Sequence, residues 1–385
     1  MNDPGIVIVG GGMAGYTLAR EFRKLDTTTP VTMVTADDGA VYSKPMLSNA
    51  LIQHKAPDAL IQKDAARAAA DLDITVRVET HVEAIDRASK HLALRGGSEL
   101  AYDKLILAVG AQPRPYALNE GDAAAIQSVN SLTDYRRWRL GMIEGSRILI
   151  MGAGLIGVEF ANDLAAAGYR VTIVDPTPWP LGRLLPEQAG QALREALEEA
   201  GIAFHLGRTV NAIVPIEGAW RARLDDGTTV EFDRALSAIG LVPQTGLAAA
   251  ADLNTAMGIL VDDMLATNDP DIFAIGDCAE TEAGMLPYVL PLMAEARTLA
   301  RTLAGNPTRL HLPALPVVVK TPALPVAICP PKPGMKGDWL VTGGDRDIRA
   351  VFRAPDGMEL GFALTGGETA ARQSLARAMP DLMAA

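Results

Sequence analysis

Short apolar runs that end abruptly in glycine clusters recur along this chain. Ile6-Val7-Ile8-Val9 runs into Gly10-Gly11-Gly12-Met13-Ala14-Gly15. Arg147-Ile148-Leu149-Ile150-Met151 runs into Gly152-Ala153-Gly154-Leu155-Ile156-Gly157, whose first glycine lies 142 positions after Gly10. Unbroken, largely β-branched runs of this length fit parallel strands buried on both faces, not half-exposed strands, which alternate. Behind each cluster apolar residues return at helical spacing, as Leu18, Phe22 and Leu25 and again as Phe160 and Leu164. Each copy therefore predicts strand, turn and helix. In such a unit Gly10 and Gly152 make the tight turn, Gly12 and Gly154 let backbone approach a ligand, and Gly15 and Gly157 let helix and strand pack closely. The free amides and macrodipole at the helix start favour a pyrophosphate.

The pattern continues in parallel after each motif. Lys104-Leu105-Ile106-Leu107-Ala108-Val109-Gly110 reads as a buried strand closed by glycine, and Gln112-Pro113-Arg114-Pro115 reads as a domain crossover. In the second half Val171–Val174 forms a strand ending at Asp175, and Glu187–Gly201 a helix with Leu193, Ala196, Leu197 and Ala200 on one face. Trp220–Leu224 and Thr228–Phe232 pair through Asp225-Asp226-Gly227, and Ala235–Gly240 closes the unit as Lys104–Gly110 closed the first. One architecture is used twice. From Leu241 the chain returns to the first unit, with a strand at Ile272–Ile275 ending in Gly276-Asp277 and a helix over Met293–Leu303 stopped by Gly305-Asn306-Pro307. The remainder, Leu312–Ala385, is proline-rich with short strands and a last helix near Thr369–Met379. The expected fold is α/β: two Rossmann-like dinucleotide-binding domains plus a small α+β C-terminal domain. The boundaries run 1–112 and 244–309 for the first domain, 113–243 for the second and 310–385 for the third.

Length supports this division, because 385 residues exceed what one core usually sustains. The hydrophobic fraction of 49% is that of a soluble enzyme, no apolar stretch approaches a membrane span, and the N-terminus enters a strand almost at once. A cytoplasmic protein is expected. The net charge of −11 argues against nucleic acid or an anionic membrane as partner. Cys278 and Cys329, 51 positions apart, have no CxxC spacing, so no redox dithiol is expected. Five histidines are scattered without ligand spacing, and no protein metal site is predicted.

Two nucleotide motifs in one chain imply a flavin that receives electrons from a pyridine nucleotide. Asp175, 23 residues after Gly152, stands where a carboxylate accepts the adenosine ribose hydroxyls and repels a 2′-phosphate, so the second site should prefer NADH over NADPH. At the matching place in the first unit stands Thr35, followed by Ala36, Asp37 and Asp38, and the expected acid is absent or displaced.

The order of GGGMAG, YSKPMLS (Tyr42–Ser48), LILAVG, GAGLIGVEFA, SAIGLVP and DIFAIGDCAE resembles the two-dinucleotide-fold flavoprotein reductases with glutathione reductase-like FAD and NAD domains. Within them ADDG followed by YSKPMLS, and VVVKTP (Val317–Pro322), are similar to the rubredoxin–NAD(+) reductase branch, with flavorubredoxin reductases next. The resemblance spans essentially the whole chain. It implies FAD in the first domain, NADH as co-substrate in the second and a third domain covering the flavin. For FAD it points to Gly10, Gly12, Met13, Ala14, Gly15, Thr35, Ala36, Lys44, Pro45, Val82, Ala108 and Gly110. It adds Asp277 at the ribityl chain, Val289 at the pyrimidine ring, and Glu159 and Lys320 near the flavin–nicotinamide junction. For NAD it points to Gly152, Gly154, Leu155, Ile156, Gly157, Asp175 and Gly240. Glu159 has a simpler reading as a carboxylate in the first turn of its helix, and Lys320 as a surface lysine on an edge strand.

The implied activity is hydride transfer from NADH to flavin followed by two single-electron transfers to rubredoxin or a related small iron carrier. Flavorubredoxin, ferredoxin and oxygen remain alternative acceptors, and an NADH-responsive structural or signalling flavoprotein is the alternative from another class. Rubredoxins are acidic, so an acidic reductase needs a local basic patch, for which Arg297, Arg301, Lys320 and Lys332 are candidates.

Overall fold

The computed structural model describes residues 4–332 and 334–384. Ile6–Val9 occupies the centre of a five-stranded parallel sheet with the order Ile272–Ala274, Lys104–Leu107, Ile6–Val9, Val31–Val34, Thr75–Arg77. All four residues of the central strand are buried, and the strand period of two sends them to opposite faces. Ile6 and Ile8 join Leu18 and Phe22 of the helix Met13–Arg23 and Leu292 and Leu299 of the helix Val289–Leu303. Val7 and Val9 join Ile85, Leu92 and Leu94 of an antiparallel meander, Val82–Asp86, His91–Leu94 and Glu99–Ala101.

The second half repeats this plan. Its parallel sheet runs Ile126–Gln127, Arg234–Ser237, Arg147–Met151, Arg170–Asp175, Ala203–Leu206, so the strand before the glycines again holds the third place. Leu149 and Met151 face a second meander, built from Val210–Ile216, Ala219–Leu224 and Thr229–Phe232 with Glu120–Gly121 at its edge. Ile148 and Ile150 face the helix Leu155–Ala166. The chain crosses between the halves twice, and the crossings pair with each other: Ala111–Pro113 lies antiparallel to Leu241–Pro243. A third unit has an all-antiparallel five-stranded sheet, ordered Val317–Val319, Val326–Cys329, Glu359–Thr365, Asp347–Arg353, Asp338–Gly344, with the helix Arg372–Ala378 against it.

Several elements differ from the sequence pattern. The helix expected over Met293–Leu303 begins at Val289, because Pro291 falls in its first turn, where the missing N–H has no partner to lose. Leu25 lies beyond the first helix and is 54% exposed, and Ala200 is exposed at the end of Glu187–Glu199, whose buried face is instead Ala189, Ala192, Leu193, Ala196 and Leu197. The last helix starts at Arg372, preceded by a 3-10 turn over Gly366–Ala371.

The glycines of the two motifs are not equivalent. A Cβ at Gly15 would lie 2.1 Å from the Gly10 carbonyl oxygen, and one at Gly157 would lie 1.9 Å from that of Gly152. A Cβ at Gly12 or Gly154 would meet nothing within 4 Å. Gly157→Ala is therefore expected to destabilise the protein by about 1–3 kcal/mol through overpacking against backbone. Gly154→Ala should cost less than about 1 kcal/mol, the difference between Gly and Ala at a helix N-cap. Urea unfolding of the two variants checks this, and equal losses would refute the distinction.

Candidate functional site

Each fingerprint builds the same cradle. Gly10 has φ +119° and Gly152 φ +109°, conformations that favour glycine, and both turns press against the strand that closes their unit. A side chain at Gly10 would strike the Ala108 carbonyl, and one at Gly152 that of Ala238. The helices that follow, beginning at Met13 and Leu155, have glycine at the N-cap, no side-chain cap and no acid in the first turn. Their leading amides are left for an external anion. The open space at Gly12 and Gly154 and these uncapped amides fit a dinucleotide diphosphate at both places.

The two cradles differ at the end of the second strand. Asp175 is buried, and its carboxylate accepts from Ala153 N at 2.7 Å, within the fingerprint loop, and from Thr177 N at 2.7 Å and the Thr177 hydroxyl. The acid is thus already fastened to the turn it serves. Thr35 is buried where the first unit would carry its acid, against Gly11, and its hydroxyl donates to Asp37 Oδ1 at 2.6 Å. The carboxylate is displaced by two residues into an exposed loop, where it also accepts from Gly39 N at 3.0 Å. Glu79 N and Thr80 N bond the Asp37 and Thr35 carbonyls, which brings the segment leading to Val82 beside this loop. Ala36 is exposed, Ala108 buried, and Gly110 turns the chain at φ +69° toward the second domain.

YSKPMLS folds as the strand Val41–Tyr42 followed by a 3-10 turn over Lys44–Asn49 with Pro45 near its start. Burial pushes the Lys44 ammonium below the usual lysine range, opposed by Asp277 and Asp134, so Lys44 and Asp277 act on one another. Val289 is the first residue of its helix, after Tyr288, which makes no side-chain cap.

Glu159 and Lys320 meet. Lys320 Nζ lies 2.8 Å from Glu159 Oε2 and donates to Ser48 Oγ at 2.8 Å and to the Pro45 carbonyl. Lys320 N donates to Glu159 Oε1 at 3.0 Å, and Ser48 Oγ donates to Glu159 Oε2 at 2.8 Å. The first-turn reading of Glu159 is corrected: it is the fifth residue of Leu155–Ala166, and both its oxygens turn to the other two domains. Lys320 is likewise no free surface lysine. Its side chain remains 30% exposed, while Arg297 and Arg301 line a groove with Glu21 and Lys24, and Lys332 Nζ donates to the Leu382 carbonyl.

Sequence reading missed three polar residues that the structure buries beside these sites. Asn162 and Asp163 follow Glu159 on the same helix face; Asp163 accepts from Leu51 N at 3.1 Å and Ile52 N at 2.8 Å, and Asn162 Oδ1 from Ala323 N at 3.3 Å. Glu295 accepts from Gly276 N at 2.7 Å. Their signal was available: each interrupts an apolar helical stripe with a polar group. Cys278 and Cys329 are free and buried, and burial pushes their thiols up to about 12 and about 11, so neither is a thiolate at neutral pH. Among the described residues no acid–histidine–cysteine cluster could hold a metal, and no helix is long and apolar enough to cross a membrane.

Removing one partner of the Glu159–Lys320 pair leaves a buried charge exposed to little water. Lys320→Met is expected to destabilise the protein by about 1–3 kcal/mol, below the full cost of a buried pair because the lysine side chain is 30% exposed. The double variant Glu159→Gln/Lys320→Met should recover part of that loss. Additive losses in a double-mutant cycle would show that the pair is not coupled.

Two family models match this chain. Residues 4–298 match the pyridine nucleotide-disulphide oxidoreductase family, and residues 309–379 match the rubredoxin binding C-terminal domain. A rubredoxin-NAD(+) reductase of Alcanivorax borkumensis is 44% identical over 380 residues, spanning 98% of this chain and 99% of its own. A nitric oxide reductase FlRd-NAD(+) reductase of Aeromonas salmonicida is 37% identical over 376 residues, with 97% and 96% covered. The crystal structure of the ferredoxin reductase for the CYP199A2 system from Rhodopseudomonas palustris superposes with a TM-score of 0.88 at 25% identity, over 98% of this chain and 96% of that one. With two matching glycine cradles, a shared sheet order and near full-length relatives, the chain belongs to the pyridine nucleotide-disulphide oxidoreductase family.

Proposed function

We propose that this protein is an FAD-dependent oxidoreductase that passes electrons from NADH to rubredoxin: NADH + 2 oxidised rubredoxin → NAD⁺ + 2 reduced rubredoxin + H⁺. The observation that carries the reading is Lys320. It belongs to the segment matching a rubredoxin binding domain, and it is locked to Glu159 on the helix that leads from the second glycine cradle. The acceptor-binding unit and the pyridine-nucleotide unit therefore meet at one ion pair with a buried carboxylate, beside the YSKP turn of the first unit.

FAD, when bound, supplies the conversion of a two-electron hydride into single electrons. The chain's own residues bind, orient and exclude water. In this reading Gly10, Gly12, Met13, Ala14 and Gly15 hold the FAD diphosphate, with Thr35, Ala36 and Val82 toward the adenosine end and Lys44, Pro45, Ala108, Gly110, Asp277 and Val289 toward the flavin end. Gly152, Gly154, Leu155, Ile156, Gly157, Asp175 and Gly240 hold NADH. The domains divide at 1–112, 113–243, 244–309 and 310–385. The protein works in the cytoplasm, where two free, buried cysteines stay reduced. A flavorubredoxin is the second acceptor to weigh, because of the 37% identity to the FlRd-NAD(+) reductase.

Anaerobic stopped-flow spectroscopy tests the acceptor. NADH should bleach the bound flavin rapidly, and rubredoxin should reoxidise it at least about tenfold faster than flavorubredoxin or ferredoxin, a difference of about 1.4 kcal/mol in the barrier. A faster reaction with either competitor would overturn the choice. Asp175 gives the donor test: the wild-type protein should favour NADH over NADPH, and Asp175→Asn should narrow that ratio by about tenfold or more. Equal reduction of the wild-type flavin by both nucleotides would refute the role given to Asp175.

A further inference from the structure

The turn Gly276-Asp277 is held from behind by a buried carboxylate that the electron-transfer reading does not use. Gly276 has φ +73° and packs so tightly on the first fingerprint helix that a Cβ there would lie 3.0 Å from Ala14 Cβ. Its N–H donates to Glu295 Oε2 at 2.7 Å. Glu295 is 4% exposed and lies on the apolar stripe of the helix Val289–Leu303, between Leu292 and Leu299. Among the described residues no cation pairs with it.

The groups facing it can be named element by element. The turn contributes Asp277, a like charge, and the buried Cys278 thiol. The first fingerprint helix contributes apolar Ala14 and Leu18 to the shared core, while its Glu21 and Lys24 lie with Arg297 and Arg301 in an outer groove. Lys44, from the YSKP turn, acts on Asp277. Burial, reinforced by Asp277 and opposed by the Gly276 amide, pushes the Glu295 carboxyl up to about 7. A diphosphate in the Gly10–Gly15 cradle brings further negative charge to the Ala14 side of the same turn, which favours the neutral acid.

We propose that Glu295 is the positioning residue of the Gly276-Asp277 turn and gains proton occupancy from solvent when the FAD diphosphate fills the adjoining cradle. Gly276 N–H continues to donate to the unprotonated oxygen, so the turn keeps its anchor while its charge falls. FAD retention is thereby linked to pH through a side chain placed behind the cofactor site. The inference rests on the assignment of FAD to the first fingerprint.

The test is calorimetric titration of the full-length protein, freed of flavin, with FAD at pH 6, 7.5 and 9 in buffers of different ionisation enthalpy. Wild-type protein should take up roughly half a proton at pH 7.5 and bind FAD about tenfold more weakly at pH 9 than at pH 6, the linkage of a single carboxyl. Glu295→Gln, which still accepts from Gly276 N–H, should bind with no such uptake and no such pH dependence. Glu295→Ala should bind more weakly at every pH. The same uptake and pH slope in Glu295→Gln as in wild type, or no uptake by wild type, would overturn the proposal. Failure of wild type to bind FAD at any pH would instead refute the FAD assignment, and the proposal with it.

A second measurement needs no ligand. A carboxyl raised in the folded state contributes stability that is full below about pH 4.5, its ordinary range, and lost as pH rises through about 7. Denaturation of the flavin-free proteins should show Glu295→Gln gaining on wild type above pH 7 and no such gain below pH 5. Parallel pH curves would show that Glu295 does not titrate in the window and overturn the proposal.

Discussion

Three polar residues on one face of a single helix, Glu159, Asn162 and Asp163, are buried, and none finds its partner within its own sheet. Glu159 and Asp163 are carboxylates, and a buried carboxylate left unpaired costs several kcal/mol. Among the described residues the hydrogen-bond partners of this face come from other units of the chain: Ser48, Leu51 and Ile52 from the first, Lys320 and Ala323 from the third, while Arg139 of the same unit adds a favourable charge near Asp163. The apolar core follows the same route, with Leu47, Ala50 and Leu51 packed in one cluster with Phe160, Leu164, Val319 and Leu324. Apolar burial supplies the driving force, and the polar face favours this register, in which that burial leaves no carboxylate orphaned. The first and third units are both fastened to the second at this face.

The duplication beneath this junction shows how one plan is given two tasks. Both sheets share strand order, both fingerprints press a glycine against the closing strand, and both middle glycines open to space. The copies part at the second strand. Asp175 keeps its carboxylate inside the turn by accepting from Ala153 N, whereas the first copy moves its acid into an exposed loop behind Thr35. A threonine hydroxyl can fill the space beside Gly11 without placing a negative charge there.

The duplicated strand–turn–helix plan, the two cradles and the third unit were legible because they follow from periodicities and glycine positions that local sequence records. Helix starts were less so: the pattern read a helix only from Met293, yet Pro291 is tolerated in a first turn that begins at Val289. The paired crossings Ala111–Pro113 and Leu241–Pro243 were readable only as separate linkers, since their partnership is a contact between residues more than a hundred positions apart. The Glu159–Lys320 pair was legible in part. Resemblance put both residues near one junction, but only tertiary packing shows that the lysine comes from one domain to neutralise the carboxylate of another. Asn162, Asp163 and Glu295 left a local trace as polar interruptions of apolar stripes, and such interruptions become informative once the opposing surface is known.

The absence of a dithiol relay gives these buried charges their weight. A chain that moves electrons through a thiol pair can tune the step at sulfur, but here both cysteines are buried and held as thiols. The protein's remaining means of adjusting a bound redox group are fixed dipoles, excluded water and the charge of nearby side chains. At the domain junction that charge is cancelled, because Lys320 offsets Glu159. At the Gly276-Asp277 turn it is only partly cancelled: Lys44 answers Asp277, and Glu295 has no cation of its own. An acidic residue in that position is stable when it can shed its charge by taking a proton, so the electrostatics of the turn depend on proton occupancy, while those of the junction are set by an ion pair.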